Sequence, residues 1–236
     1  PGDVVRVECI LVDHHPIRRD LDHVPYVDIR TNFGATSSIV FQYLEAAGYQ
    51  PGSDLATALF YGIQTDTQGL SRGSSPADRD IYFKLLGLID QDKLIQVIQA
   101  GVPREYFQSF YDGLRSSRVY RSVIVSYLGA IDRPDFPAEL ADFLIRLEGI
   151  QAVLCMGDHG DMLYLSLRTK AGGKDAGGLI QKVVLPRGTA GGHGNFAGGQ
   201  IPLAGTKPQA EAGKVQRKFL ELMDESGEGE NLLAFE

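Results

Sequence analysis

From Val4 to Val12 almost every residue is apolar, five of them β-branched, and the run stops at Asp13-His14-His15-Pro16. Proline has no N–H to give a ladder, so the pattern predicts a strand that delivers three polar side chains to its C-terminal end. Apolar positions at Val40, Tyr43, Leu44 and Ala47 fit a helix over Thr36 to Ala47, with Gly48 beyond its C-terminus. Leu55 to Ile63 is long and apolar enough for a buried helix and runs out into Gln64-Thr65-Asp66-Thr67-Gln68-Gly69. Ser75-Pro76-Ala77-Asp78 reads as a helix start, with Ser75 as N-cap, proline at the first position and Asp78 near the positive end of the dipole. Ile81, Leu85 and Leu88 form its apolar stripe. Leu94 to Gln99 and Pro103 to Arg115 follow as helices; the aromatic stripe Tyr106, Phe107, Phe110 and Tyr111 on the second reads as core.

After Tyr120 the texture changes. Val123 to Leu128 predicts a strand, Pro137 to Glu148 a helix, and Ala152 to Met156 and Met162 to Leu167 two strands joined by a hairpin turn over Gly157 to Asp161. The tail from Glu211 begins as a helix carrying Val215, Phe219, Leu220 and Leu222, then becomes an acidic run expected to fray. A boundary between Arg115 and Tyr120 divides the chain into domains 1–117 and 118–236, both of α/β character because strands alternate with helices in each.

Composition narrows the classes. The chain has 236 residues, 43% hydrophobic and 22% charged, which suits a packed globular protein. No apolar run approaches the roughly 18 residues that cross a bilayer, and no basic segment precedes an apolar one at the start, so a cytoplasmic protein without membrane association is expected. A net charge of −7 argues against a grip on long duplex nucleic acid but leaves small phosphorylated ligands open. Cys9 and Cys155 are expected to be buried, reduced thiols. The first methionine is Met156 and the chain opens inside an apolar run, so it reads as part of a longer protein, a processed start at Pro1 being the alternative.

Asp13-His14-His15 at a strand end joins two imidazoles to a carboxylate able to orient one of them, a frequent arrangement at metals. Adjacent histidines alone are weak support, since successive strand residues point to opposite faces. Asp66 follows another apolar segment and is placed to converge on the same sheet edge, where α/β ligands bind. The alternative for both is a satisfied polar cluster. Glycines crowd around His193 (Gly191, Gly192, Gly194, Gly198, Gly199), and such a loop either cradles an anion with its N–H groups or simply supplies positive φ. Arg168 and Arg72 are candidate phosphate contacts or surface charges. His23 and His159 are taken as structural.

Asp-His-His after a strand, Thr65-Asp66-Thr67 further on, and Gly191-Gly192-His193 with a trailing Ala197-Gly198 resemble the DHH/DHHA1 phosphoesterase superfamily. Gly34-Ala35-Thr36-Ser37, Gly62 to Thr67 and Ser166-Leu167-Arg168 are similar to strings of its RecJ-like branch of oligoribonucleases, nucleoside-bisphosphate phosphatases and cyclic-dinucleotide phosphodiesterases. The resemblance implies the C-terminal part of a parallel-sheet DHH domain followed by a smaller α/β DHHA1 domain, with the active-site cleft between them. It implies two Mn²⁺ ions in the complete protein and attack of a metal-activated hydroxide on short oligonucleotides, linear or cyclic dinucleotides, or nucleoside 3',5'-bisphosphates. Carried over by motif, His14 and Asp66 are metal ligands, Asp13 orients a ligand and His15 faces the substrate phosphate. His193, the Gly191-Gly192 backbone and Arg168 bind substrate.

The family's upstream His-x-x-x-Asp-x-Asp ligands are absent from this chain, so the chain alone is expected to be inactive. Ala190 replaces a usual glycine, and Phe196 stands where alanine is common, so it either needs space beside the ligand or itself stacks on a base. The second reading is a nucleotide-binding regulatory module of a larger protein. A homodimer and a further N-terminal domain remain open.

Overall fold

A computed structural model describes residues 9–16 and 20–234, apart from the His193 side chain; the first part of the expected strand, Val4 to residue 8, lies outside these. The chain forms two compact units, Pro1–Gly101 and Val102–Glu236.

In the first unit β1 (Ile10–Asp13) pairs in parallel with β2 (Tyr26–Ile29), Ile10 opposite Tyr26 and Asp13 opposite Ile29. Four helices follow: α1 (Thr36–Ala46), α2 (Ser53–Asp66), α3 (Pro76–Leu86) and α4 (Gln91–Ile98). Their shared core is Ala35, Phe41, Ala56, Leu59, Phe60, Ile63, Ile81 and Leu85. α1 ends as expected, with Gly48 at φ +68° and the Tyr49 N–H donating to the Leu44 carbonyl. The start of α3 is a full capping box: the Ser75 hydroxyl accepts from the Asp78 N–H at 3.1 Å, and the Asp78 carboxylate accepts from the Ser75 N–H at 2.7 Å. α2 runs further than its apolar stretch. Gln64, Thr65 and Asp66 form its last turn, so Asp66 stands on a helix and not in a loop beyond one.

The second unit opens with α5 (Arg104–Ser116) and builds a seven-stranded sheet. Its elements are β3 (Arg118–Tyr120), β4 (Val123–Ala130), α6 (Phe136–Leu144), β5 (Ala152–His159), β6 (Met162–Thr169), α7 (Ala176–Val184), β7 (Thr189–His193), β8 (Phe196–Pro202), α8 (Pro208–Leu222) and β9 (Glu230–Asn231). The order is β7-β8-β6-β5-β4-β3-β9, with β4 and β5 parallel and every other pair antiparallel. Strand alternation sends Val123, Val125, Leu154 and Met156 to one face with α7 and α8, where Ile180, Val215 and Phe219 are fully or almost fully buried. Ile124, Val153 and Cys155 go to the other face, under Leu140 and Leu144 of α6. This is an α/β architecture with helices on both faces of a mixed sheet.

Several expectations change. Gly157 and Asp158 stay in β5, and the turn is the tighter Gly160-Asp161, with Gly160 at φ +55°. Gly157 is needed for packing: a Cβ there would lie 2.8 Å from the Ile131 side chain. The aromatic stripe of α5 is only half core. Tyr106 and Phe110 pack on Phe136, whereas Phe107 and Tyr111, one turn apart on the neighbouring stripe, are exposed. Cys9 is exposed because it precedes the paired residues of β1, while Cys155 is buried. α5 belongs with the second unit, crossing so close at Gly113 that a Cβ would lie 2.7 Å from Leu140 and 2.9 Å from Leu128. The compact unit therefore begins at Val102, ahead of the expected 117/118 boundary.

Candidate functional site

β1 and β2 remain paired one step past β2, through the Arg30 N–H to the Asp13 carbonyl at 3.0 Å. The chain then bends at His14-His15 and Pro16. The Asp13 side chain folds back over the bend: its Oδ1 accepts from the His14 N–H at 2.7 Å, the His15 N–H at 3.2 Å and His15 Nδ1 at 2.9 Å. Because both histidines lie past the strand, strand alternation does not separate them, and their ring centroids are 4.0 Å apart. Ligand atoms of Asp13, His14 and His15 lie within 4.8 Å of one another. The side chain of His14 is 14% exposed and that of His15 54%, so one ring faces inward and the other solvent. Burial raises the Asp13 carboxyl, but the hydrogen bonds from the His15 ring and from both backbone N–H groups outweigh it and hold the group below its ordinary range.

The next layer comes from α1 and α3. The Thr36 hydroxyl, on the first residue of α1, lies 2.9 Å from His14 Nδ1 and 3.5 Å from Asp13 Oδ1. The loop ahead of it is held by Asp78, which is fully buried and accepts from the Gly34 N–H at 2.8 Å and the Ser75 hydroxyl at 2.6 Å. Only glycine fits at 34, where a Cβ would meet the Gly73 carbonyl at 2.7 Å and Thr67 at 2.9 Å. Asp28 receives Arg30 and the Tyr43 hydroxyl and ties β2 to α1. From the sequence Asp78 is legible only through its Ser-x-x-Asp spacing, as a partner of the helix dipole, and no neighbouring residue points to Thr36.

Asp66 is exposed on the last turn of α2 and is not among the three groups gathered around Asp13. Its carbonyl accepts from Arg72 Nη2 at 3.4 Å. Thr67 beside it is buried, its hydroxyl donating to the Ile63 carbonyl and accepting from the Leu70 N–H.

In the second unit the glycine tract is a β-hairpin. Gly191 pairs with Gly198, Gly192 with Ala197 and His193 with Phe196, leaving Gly194-Asn195 as the turn, Gly194 at φ +57°. A side chain at Gly192 would collide with the Phe196 carbonyl and with Ala197. The turn is pinned twice by main chain: Thr169 N–H to the Asn195 carbonyl at 2.9 Å, and Ala176 N–H, at the start of α7, to the Gly194 carbonyl at 3.1 Å. Asp175 caps α7 through the Gly177 and Gly178 N–H groups, so these donors are spent on protein. The glycine tract around His193 is thus a hairpin clamped to a helix start.

Arg168, on β6 opposite Phe196, is 8% exposed. Asp142 takes its fork at Nε and Nη2, and Nη1 donates to the Ser166 hydroxyl at 2.8 Å and the Leu167 carbonyl at 3.2 Å. Its guanidinium carbon lies 4.8 Å from the Phe196 ring centroid, so on the hairpin it touches an aromatic face. The His193 side chain lies outside the described structure. His159 Nδ1–H donates to the Ile131 carbonyl at 2.9 Å, in keeping with a structural role.

Residues 121–225, spanning β4 to α8, match the DHHA1 domain family. The structure of an exopolyphosphatase-related protein from Bacteroides fragilis shares the fold, with a TM-score of 0.70 at 20% identity over 90% of this chain and 63% of that one. The chain carries a DHHA1 domain. An uncharacterized protein of Methanocaldococcus jannaschii is 33% identical over 213 residues, covering 90% of this chain, which spans 43% of that relative's length. Among the described residues no helix is long and apolar enough to cross a membrane.

The Asp13-His14-His15 cluster suits a divalent first-row metal on the chemistry of its donors: one carboxylate and two imidazoles, with a hydroxyl 2.9 Å from the inner ring. In the DHHA1 domain Phe196 and Arg168 bring an aromatic ring and a guanidinium into contact.

Proposed function

We propose that this chain is part of a Mn²⁺-dependent phosphoesterase acting on short oligonucleotides, linear or cyclic dinucleotides, or nucleoside 3',5'-bisphosphates. The observation that carries the reading is the Asp13-His14-His15 cluster, with the inner imidazole oriented by Thr36, in a chain that also holds a DHHA1 domain. His14 and Asp66 would hold a metal ion, Asp13 keeps the two imidazoles in register, and the solvent-facing His15 meets the phosphate. When bound, paired ions lower the pKa of a water and stabilise charge on the attacking and leaving oxygens. On the DHHA1 side His193, the Gly191-Gly192 main chain and the Arg168–Phe196 stack hold the nucleotide. The remaining ligands are assigned to residues outside this chain.

The test is Mn²⁺-dependent hydrolysis of the dinucleotide pApA by the full-length protein and by the isolated 236-residue chain. Cleavage by the full-length protein alone is the expected result. If neither cleaves while the chain still binds nucleotide, the regulatory-module reading takes its place. In the full-length protein, His193→Ala is expected to raise KM about tenfold, roughly 1.4 kcal/mol of binding, with a smaller fall in kcat. An unchanged KM removes His193 from the binding surface.

A further inference from the structure

A threonine at a helix N-cap turns its oxygen to the helix's own N–H groups. Thr36 does something else. The N-cap of α1 is Ala35, with no side-chain cap, and the Thr36 hydroxyl is directed at the Asp-His-His bend, 2.9 Å from His14 Nδ1 and 3.5 Å from Asp13 Oδ1.

A hydroxyl has one proton and two lone pairs, an ionised carboxylate only lone pairs, and a neutral imidazole one N–H and one lone pair. Asp13 Oδ1 already collects three N–H donors and meets Thr36 only as an acceptor. The Thr36 proton therefore goes to Asp13, and the bond to His14 must run from ring to hydroxyl. The opposite arrangement would aim a hydroxyl lone pair at the carboxylate and place a proton on His14 Nε2, where no metal can bind.

We propose that Thr36 is a positioning residue: it accepts from His14 Nδ1–H and donates to Asp13, so that His14 carries its lone pair on Nε2, the atom that ligates the metal. The assignment rests on the reading of His14 as a metal ligand. Thr36 is itself kept in place by the Gly34 N–H to Asp78 clamp two residues earlier, which makes a relay from α3 through α1 to the end of β1. A carboxylate sets the outer ring, His15, directly, and a hydroxyl between carboxylate and imidazole sets the inner one.

Thr36→Val removes the hydroxyl at nearly constant shape, and Thr36→Ser restores it. In metal-free full-length protein at mildly alkaline pH, two-bond ¹H–¹⁵N NMR of ¹⁵N-histidine-labelled samples reports the tautomer, with the His14 signals identified by their loss in His14→Ala. Wild type and Thr36→Ser are expected to show Nδ1–H at His14, and Thr36→Val a shift toward Nε2–H. Mn²⁺ binding by calorimetry should weaken about 10- to 100-fold in Thr36→Val, the usual loss for a group supporting a ligand, and recover in Thr36→Ser. Nε2–H in the wild type, or a tautomer unchanged by Thr36→Val, overturns the proposal whatever the metal does. Wild-type Mn²⁺ affinity in His14→Ala instead overturns the ligand assignment of His14, and the NMR result then still decides what Thr36 does to the ring.

Discussion

Replacing His14 by alanine in the full-length protein should reduce Mn²⁺-dependent hydrolysis of pApA by more than about 100-fold, beyond the 10- to 100-fold typical of losing a ligand's support. His14 is the inward imidazole of the cluster, it is held by Thr36, and its side chain is 14% exposed. The substitution deletes a half-buried ring at the end of a two-stranded ladder and leaves the core of Ile39, Phe60, Ile63 and Leu85 untouched, so the variant should unfold at nearly the wild-type temperature. Asp66→Ala should behave alike if Asp66 ligates the same ion. It stands exposed on the last turn of α2, so its removal costs the fold little. Hydrolysis and melting temperature measured on the same preparations separate the outcomes. A His14 variant that turns over at the wild-type rate ends the metal assignment. A variant that is inactive because it is unfolded would show it in the melting curve.

The largest stability effect is expected at Asp78. This carboxylate is fully buried and holds the Gly34 N–H, the Ser75 N–H and the Ser75 hydroxyl. Asp78→Ala leaves these donors without a buried acceptor, which costs about 3 kcal/mol once the lost capping box is included. A unit of this size should then melt more than about 10 °C lower. The pH dependence has a defined sign. Burial raises the Asp78 carboxyl, but the polar groups of Ser38, Ser75 and Gly34 around it more than compensate and hold its folded pKa below the ordinary aspartate range. Such a group adds stability above its unfolded pKa and loses it as pH falls through the folded one. Wild-type urea midpoints should therefore decline below about pH 4, and Asp78→Asn should remove part of that decline while being less stable at pH 7. Parallel pH profiles for the two proteins would show that the Asp78 charge carries no such stability.

Features written in adjacent residues were legible in the sequence. The Asp-His-His bend, the Ser75 start of α3 and the Gly48 end of α1 each depend on a few neighbouring side chains, and each stands where its residues predict. Features made by distant residues were hidden. β2 has only four residues and is a strand because β1 lies beside it. α7 carries Gly177 and Gly178 in its first turn, poor helix formers that hide it from a propensity reading, and is started by the Asp175 cap and the Gly194 carbonyl. Arg168 read as a residue reaching outward because nothing near it in sequence shows that Asp142, on α6, will take its fork. Thr36 looked like an ordinary first residue of a helix; its role is visible only when β1 is placed against α1.

The turn of the hairpin that carries His193 is held by main-chain bonds at the Asn195 and Gly194 carbonyls and by the close approach at Gly192, while Phe196 of the same hairpin rests against Arg168. Neither of those two main-chain bonds uses a side chain of the turn, so Asn195 can be exchanged without removing either of them, and the hairpin is a mount whose tip can be rewritten.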